Sequence, residues 1–171
     1  LEEAITLRQS GISAPILAWL TPITDDFSSA LENEIDIAIP SLAHLAAVLQ
    51  AAQTTKRIPR IHLEVDTGMS RGGALLEWNE LVSAAGAAEK NGSLKVIGIW
   101  SHFARADEPG HEFNLQQRET FERAVASARS LGINPEVVHL SNSAATINDS
   151  DSHFDLIRLG IAMYGLSRSL I

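Results

Sequence analysis

Short runs rich in β-forming residues alternate with helical stretches along the sequence, and this alternation limits the fold more than any other feature. Six strands are predicted, at residues 15–20, 35–39, 60–66, 95–102, 136–141 and 154–162. Between them, apolar residues recur at positions i, i+3, i+4 and i+7, the spacing of one helix face, in three stretches that begin at Leu42, Trp78 and Phe121. Strands that alternate with helices are typical of βαβ units and parallel sheets. The sequence therefore predicts an α/β fold.

The positions of the polar residues favour a barrel over a doubly wound sheet. Neither glycine-rich phosphate fingerprint, G-x-G-x-x-G or G-x-x-x-x-G-K-[ST], occurs. Polar residues instead follow successive strands, where a (β/α)8 barrel enzyme carries its active site: Asp66-Thr67-Gly68, Ser101-His102, Ser141-Asn142-Ser143 and Arg158-Leu159-Gly160. A complete barrel has eight strands in about 250 residues. Six strands in 171 residues therefore predict an incomplete TIM-type barrel.

The ends of the sequence point to a longer parent chain. Leu1 is not a methionine and already belongs to a helical stretch, whereas Ile171 follows an apolar run without a cap or a linker. We therefore expect a fragment, with the two missing strands before Leu1.

Composition excludes several classes of function. The chain carries 13 Lys and Arg against 21 Asp and Glu, so its formal net charge is −8, and this field repels nucleic acid and anionic membranes. It has no cysteine, which excludes disulfides, a thiolate nucleophile and a Cys-ligated metal. No apolar run reaches the roughly 18 residues of a membrane helix. We expect a soluble, cytoplasmic protein.

Several polar residues could bind a ligand or could be purely structural. Arg71 follows a glycine turn and could face the barrel mouth, although a surface arginine is the more ordinary explanation. His102 could stack on a flat ligand or be a structural histidine. Asn142 and Ser143 could open a helix that binds phosphate through its backbone N–H groups, or simply cap it.

The segment from Arg158 to Ile161 gives a sharper signal. An arginine within an apolar strand needs a partner, because burying an unpaired guanidinium is costly. Gly160 has no side chain, so a phosphate could approach the backbone N–H groups of Gly160 and Ile161. The histidines show neither H-x-H nor H-E-x-x-H spacing, so we expect no metal site, and no G-x-S-x-G nucleophile elbow is present.

Four strings together resemble bacterial alanine racemase in the order and approximate spacing of that family. They are His62-Leu-Glu-Val-Asp-Thr-Gly-Met-Ser-Arg71, Ser101-His-Phe-Ala-Arg-Ala-Asp107, His139-Leu-Ser-Asn-Ser-Ala-Ala145 and Arg158-Leu-Gly-Ile-Ala-Met-Tyr-Gly165. Residues 7–17 are also similar to the family, so the resemblance spans nearly the whole chain and most of the family's barrel domain.

The resemblance implies a barrel that binds pyridoxal 5′-phosphate (PLP), a β-rich domain after it, and a homodimer that supplies D-alanine for peptidoglycan from L-alanine. In that frame residues 1–171 are a partial PLP-binding barrel, and the C-terminal β-domain is absent. By motif, the resemblance implies that Ser143, Gly160 and Ile161 hold the cofactor phosphate. It also implies that Arg158 meets the pyridine nitrogen, that His102 packs beside the ring and that Asn142 is an active-site asparagine. Arg71 matches the arginine near the cofactor's phenolic oxygen and the substrate carboxylate.

The sequence departs from the family at its reacting groups. The cofactor-binding lysine and the catalytic tyrosine of the partner subunit have no counterpart. Lys56, Lys90 and Lys95 lie outside the motif of the family's lysine, and Tyr164 matches a barrel-motif residue rather than the catalytic tyrosine. The fragment alone is therefore expected to be inactive. Glu64 stands where some members carry a carbamylated lysine, and its carboxylate could support Arg71 directly.

Other functions remain open at this level. A non-catalytic PLP-binding homeostasis protein shares a related barrel but has neither the β-domain nor established turnover. Another PLP enzyme on the same fold and a barrel without a cofactor are further alternatives. The decarboxylases on this fold typically place a carboxylate at the pyridine nitrogen, so Arg158 argues against them.

Overall fold

The computed structural model describes residues 1–166. Within them, five strands form one parallel sheet: β1 (Leu17–Ala18), β2 (Asp36–Ile39), β3 (Arg60–Glu64), β4 (Lys95–Trp100) and β5 (Val137–His139). The same residues form six α-helices: α1 (Glu2–Gln9), α2 (Phe27–Glu32), α3 (Leu42–Thr55), α4 (Trp78–Lys90), α5 (Glu112–Ser130) and α6 (Ser143–Asn148). Two 3₁₀ turns, Ser150–Ser152 and Ile161–Tyr164, follow.

The strand order identifies the architecture. Each strand pairs in parallel with the next along the chain, in the order β1-β2-β3-β4-β5. A doubly wound sheet would reverse its direction of growth at a switch point, whereas a barrel adds strands in sequence. The helices also contact one another in sequence, α2 with α3, α3 with α4 and α4 with α5. The predicted incomplete barrel is confirmed as a five-stranded half-barrel.

The prediction of a sixth strand at residues 154–162 is wrong for the part of the chain that the structure describes. This segment does run beside β5, because Asp155 N donates to Val138 O at 3.0 Å and Arg158 N donates to Ser141 O at 2.9 Å. However, Val138 N donates to the side chain of Asp155 at 2.8 Å, so a carboxylate replaces a backbone acceptor and interrupts the ladder. The segment ends in a 3₁₀ turn instead.

The two faces of the sheet differ in chemistry. In β3, Ile61 and Leu63 belong to the hydrophobic core that the helices cover, together with Leu45, Leu81 and Phe121 from α3, α4 and α5. His62 and Glu64 alternate with them and point to the other face, as the two-residue period of a strand requires. The face away from the helices is therefore buried but polar.

The three predicted helices are confirmed as α3, α4 and α5. Ser41 caps α3 by accepting from His44 N at 3.2 Å, and Gly92 and Gly132 adopt the positive φ expected after α4 and α5. α2 was not predicted, although Asp26 caps it through Ser29 N. Nothing helical within residues 1–166 has both the length and the apolar character to cross a membrane.

Candidate functional site

A cavity of about 440 Å³ lies at the carboxyl ends of the strands. Its lining includes all six residues that the sequence predicted at a cofactor: His102, Asn142, Ser143, Arg158, Gly160 and Ile161. Trp19, Leu159 and Leu166 add apolar walls. Arg71 and Glu64, the two predicted substrate-orienting residues, are not among the lining residues.

Arg158 is held from several sides. Its Nη2 donates to the carbonyl oxygens of Ser101 at 2.7 Å and Leu140 at 3.0 Å, and its Nη1 donates to Nδ1 of His139 at 2.7 Å. These hydrogen bonds pair the buried guanidinium, as expected for an arginine within an apolar segment. Burial lowers the pKa of Arg158 to about 10, with Glu64 opposing and Arg71 adding to the shift, so the side chain stays cationic at neutral pH.

Aromatic rings complete the surroundings of this guanidinium. Its central carbon lies 4.9 Å from the ring centroid of Trp100 and 5.4 Å from that of Trp19, within the range of cation–π attraction. The two indoles stack on each other at 5.2 Å. The Nε atom of Arg158 is buried and has no hydrogen-bond partner within residues 1–166. One donor of a tightly held cation is thus left for a ligand.

Two backbone N–H groups converge on Ser143, which lines the cavity. The N–H groups of Gly160 and Ala162 donate to its Oγ at 2.8 Å and 3.3 Å. Asn142 caps α6 by accepting from Ala145 N at 3.0 Å, which fixes the start of the helix that carries Ser143. Because the two N–H groups occupy the acceptor positions of the hydroxyl, Ser143 can donate its own O–H to an anion in the cavity.

His102 is held as a neutral ring beside Arg158. Its Nδ1 lies 3.3 Å from Nη2 of Arg158, which can only donate. Burial, followed by the charges of Arg158 and Arg71, lowers the pKa of His102 to about 4.

The buried Gln117 of α5 fixes the loop that begins with His102. Its Nε2 donates to the carbonyl oxygen of His102 at 3.2 Å and to Oγ1 of Thr67 at 3.1 Å. Its Oε1 accepts from Ala104 N at 2.9 Å. Gln117 thus joins the loops after β3 and β4, a role that its position in an amphipathic helix does not disclose.

The loop that carries Arg71 is shaped by its own side chains. Oδ1 of Asp66 accepts from the N–H groups of Gly68 at 2.9 Å and Ser70 at 3.1 Å, which closes a tight turn. Gly68 has φ of +128°, and a β-carbon there would lie 2.7 Å from the ring of Phe113. Both features require glycine at this position.

Glu64 lies beside this loop. A β-carbon added to Gly72, the residue after Arg71, would lie 3.2 Å from Oε1 of Glu64. The carboxyl is 3% exposed, and burial raises its pKa to about 7 while the charges of Arg71 and Arg158 oppose the rise. Glu64 is therefore poised between its neutral and ionised forms near neutral pH.

Comparisons with known proteins agree with this arrangement. The family model described as alanine racemase, N-terminal domain, matches residues 1–168. The alanine racemase of Salinispora tropica is 44% identical over 168 residues, which cover 98% of this chain and 45% of that protein. The crystal structure of alanine racemase from D-cycloserine-producing Streptomyces lavendulae superposes with a TM-score of 0.95 at 43% identity, over 97% of this chain and 44% of that one. The chain belongs to the alanine racemase family.

The match extends over nearly the whole of this chain but covers only part of each relative. The chain spans about half the length of the alanine racemases that it matches. The alanine racemase structure from Corynebacterium glutamicum shows the same relation, with a TM-score of 0.89 at 37% identity over 98% of this chain and 47% of that one.

Sequence reasoning missed two contributors to the cavity region. Trp19 directly follows β1 and lies near the end of the first predicted strand, so the rule that strand ends build the site could have found it. Gln117 carries no comparable signal, because only the three-dimensional structure shows that its face of α5 meets two loops.

Proposed function

We propose that the full-length protein is a cytoplasmic, PLP-dependent alanine racemase that interconverts L- and D-alanine and supplies D-alanine for peptidoglycan. The observation that carries this proposal is the assembly of six motif residues around one cavity in a member of the alanine racemase family. The proposal includes a homodimer and a C-terminal β-domain, both of which the resemblance implies.

The cavity fits PLP at two separate points. The Ser143 hydroxyl can donate to a phosphate, beside the backbone of Gly160 and Ile161 that lines the same cavity. Arg158 offers a buried Nε–H that has no hydrogen-bond partner within residues 1–166. A volume of about 440 Å³ also lies within the range of small-molecule sites, roughly 300–1,000 Å³.

Arg158 suits racemisation better than other PLP chemistry. PLP, when bound, supplies an electron-withdrawing ring that makes the α-hydrogen of an amino acid removable. A guanidinium that stays cationic can only donate to the ring nitrogen, so it keeps that nitrogen unprotonated. Withdrawal of electrons by the ring is then weaker, which favours return of the proton to Cα over transamination.

His102, Arg71 and Asn142 have supporting roles in this proposal. His102 packs against the ring as a neutral imidazole, because its lowered pKa keeps it uncharged. Arg71 orients the substrate carboxylate, and the Asp66 turn together with Glu64 positions the loop that carries it. Asn142 keeps Ser143 in place through the helix cap.

The two bases of a racemase must come from outside these residues. Lys56 and Lys90 end α3 and α4, and Lys95 begins β4, so all three lie toward the amino ends of the strands, away from the cavity. Tyr164 lies in the 3₁₀ turn and is 79% exposed. We propose that an upstream lysine and a tyrosine from the partner's β-domain serve as the bases. The 171-residue fragment alone is then inactive.

The test is to express the protein in its full-length form with PLP and to follow L-alanine by chiral chromatography. D-alanine formation supports the proposal, and PLP binding without turnover overturns it in favour of a non-catalytic PLP carrier. Ser143→Ala is expected to weaken PLP binding about tenfold, the equivalent of one hydrogen bond to a charged group. Ser130→Ala, at the exposed end of α5, is the matched control and leaves PLP binding unchanged.

A further inference from the structure

A row of buried polar side chains runs through the sheet face away from the helices and ends at Arg158. Nη1 of Arg158 lies 2.7 Å from Nδ1 of His139. Nε2 of His139 lies 3.0 Å from Nδ1 of His62, and Nε2 of His62 faces Oδ2 of Asp36 at 3.7 Å. Asp36 is also paired with Arg60, whose Nε lies 2.8 Å from Oδ1. We call Asp36, His62, His139 and Arg158 the polar relay.

The relay crosses a strand to reach the cavity. His139 is on β5 and His62 on β3, and β4 lies between them. The two imidazoles meet because β4 carries Gly98 at this point, as the register partner of both His62 and Val137. A β-carbon on Gly98 would lie 2.2 Å from Nδ1 of His62. The contact between the two histidines therefore depends on one missing side chain.

Only one arrangement of protons satisfies the relay. Arg158 has no acceptor, so Nδ1 of His139 must accept and its proton must sit on Nε2. That Nε2–H donates to Nδ1 of His62, so the proton of His62 sits on Nε2 and faces the carboxylate of Asp36. Each imidazole is neutral, and each has its tautomer set by its neighbour.

The surroundings favour this arrangement at both ends. Burial, followed by the charge of Arg158, lowers the pKa of His139 to about 2 and keeps that ring neutral. Burial alone would raise the pKa of Asp36, but His62 and Arg60 outweigh it and lower that pKa, so the carboxylate stays ionised. An anion at one end and a cation at the other thus orient both rings.

We propose that Asp36 and His62 are positioning residues that, through His139, hold the Arg158 guanidinium in the orientation it needs toward the cofactor ring. The inference rests on the proposed function, because it assumes that Arg158 faces a cofactor ring. The direction of the hydrogen bonds in the relay does not depend on a bound cofactor. Asp36 and His62 do not line the cavity of about 440 Å³, so neither contacts a ligand bound there. Both line a second cavity of about 330 Å³, together with His139 and Arg158.

Asp36→Asn reverses the relay with a side chain of nearly the same size. Arg60 donates through Nε to Oδ1 at 2.8 Å and through Nη2 to Oδ2 at 3.2 Å. In asparagine the amide oxygen keeps the shorter of these bonds, the bond from Nη2 is lost, and the amide N–H turns to Nε2 of His62. His62 then carries its proton on Nδ1, and His139 must accept on Nε2 and carry its proton on Nδ1. That N–H would face Nη1 of Arg158, so the guanidinium must move. Arg60→Lys is the matched control, because it keeps a cation beside Asp36 and leaves the relay direction unchanged.

The first measurement is made on the full-length protein without PLP. Histidine-selective ¹⁵N labelling and two-bond proton–nitrogen spectra report which ring nitrogen carries the proton. His62 and His139 are expected as Nε2–H tautomers in the wild type and in Arg60→Lys, and as Nδ1–H tautomers in Asp36→Asn. A wild-type His139 protonated on Nδ1 overturns the proposal, even if Asp36→Asn fails to fold.

The second measurement uses the PLP-loaded protein. Asp36→Asn is expected to lower kcat for alanine about tenfold or more, the usual size of losing a residue behind a site ligand, with KM within about twofold and a shifted visible absorption band. Arg60→Lys should match the wild type. Wild-type kcat and an unshifted band in Asp36→Asn would refute the relay while leaving the racemase proposal intact. A wild type that neither binds PLP nor turns over alanine refutes the proposed function, and the tautomer spectra still decide the relay.

Discussion

The imidazole of His62 occupies the space that a side chain on Gly98 would fill, since a β-carbon there would lie 2.2 Å from Nδ1. Glycine inside a strand weakens it, and is expected where another group approaches closely. In this half-barrel the approaching group is a buried histidine from the neighbouring strand. The glycine of β4 and the histidine of β3 are therefore one structural unit.

Gly98→Ala is expected to destabilise the protein by about 2 kcal/mol or more, because the added methyl cannot fit without moving His62 or the backbone. Gly86→Ala is the control: it lies in α4, where the new β-carbon would meet Ile133 at an ordinary 3.4 Å and alanine favours the helix by roughly 1 kcal/mol. Urea unfolding of the two variants should move the midpoint in opposite directions. Equal midpoints would show that His62 is not confined by Gly98.

Glu64→Gln is expected to remove a pH dependence of stability. The pKa of Glu64 rises from 4.5 to about 7 on folding, so the unfolded chain gives up its proton first and stability falls as pH rises through that interval. The loss amounts to about 3 kcal/mol above pH 7 and is absent in the glutamine variant. The free energy of unfolding should therefore differ between the two proteins by more at pH 8 than at pH 5. Parallel pH curves would mean that Glu64 is ionised like an exposed carboxyl.

The same substitution probes the support of Arg71. If the Glu64 carboxylate helps to position the loop that carries Arg71, Glu64→Gln should raise KM for alanine in the full-length protein. Unchanged kinetics together with the altered pH curve would assign Glu64 a purely structural effect.

Gln117→Leu is expected to cost about 2–4 kcal/mol, because it leaves the carbonyl of His102, the hydroxyl of Thr67 and the N–H of Ala104 without this partner. Gln116→Leu changes the neighbouring residue, whose exposed side chain donates to the exposed Glu112, and should cost less than about 0.5 kcal/mol. Chemical unfolding of both variants measures the difference. Similar losses would show that the buried amide does not tie the two loops together.

The sequence predicted what depends on local pattern and on position along a strand. The apolar stripes that begin at Leu42, Trp78 and Phe121 follow one such rule and correspond to α3, α4 and α5. The polar residues after the strands follow the other, and several of them line the cavity. The strand predicted at residues 154–162 does not form because of a tertiary contact that no local pattern shows. The Asp155 carboxylate accepts the hydrogen bond from Val138 N that a strand ladder would need.

Contacts between distant parts of the chain were equally hidden. His62 and His139 are 77 residues apart and bond to each other, and no local pattern in the sequence predicts this contact. Gly98 was the available clue, because an apolar strand seldom contains glycine without a steric reason. Trp19 and Trp100 are also far apart in the sequence. Parallel pairing brings the ends of their strands together, so their rings stack on each other beside Arg158.

Gly68→Ala tests the construction of the Arg71 loop. Gly68 has a positive φ of +128°, and a β-carbon added there would lie 2.7 Å from the ring of Phe113. Gly92 has φ of +79°, but an added β-carbon would have nothing within 4 Å. Gly92→Ala therefore isolates the backbone cost of roughly 1–2 kcal/mol and should leave KM unchanged. Gly68→Ala should be more destabilising and raise KM for alanine in the full-length protein, since the turn must move away from α5. Adding Phe113→Leu to Gly68→Ala should recover part of both losses. If Gly68→Ala and Gly92→Ala behave alike, the Phe113 contact does not position the loop, and the Asp66 turn alone must account for its shape.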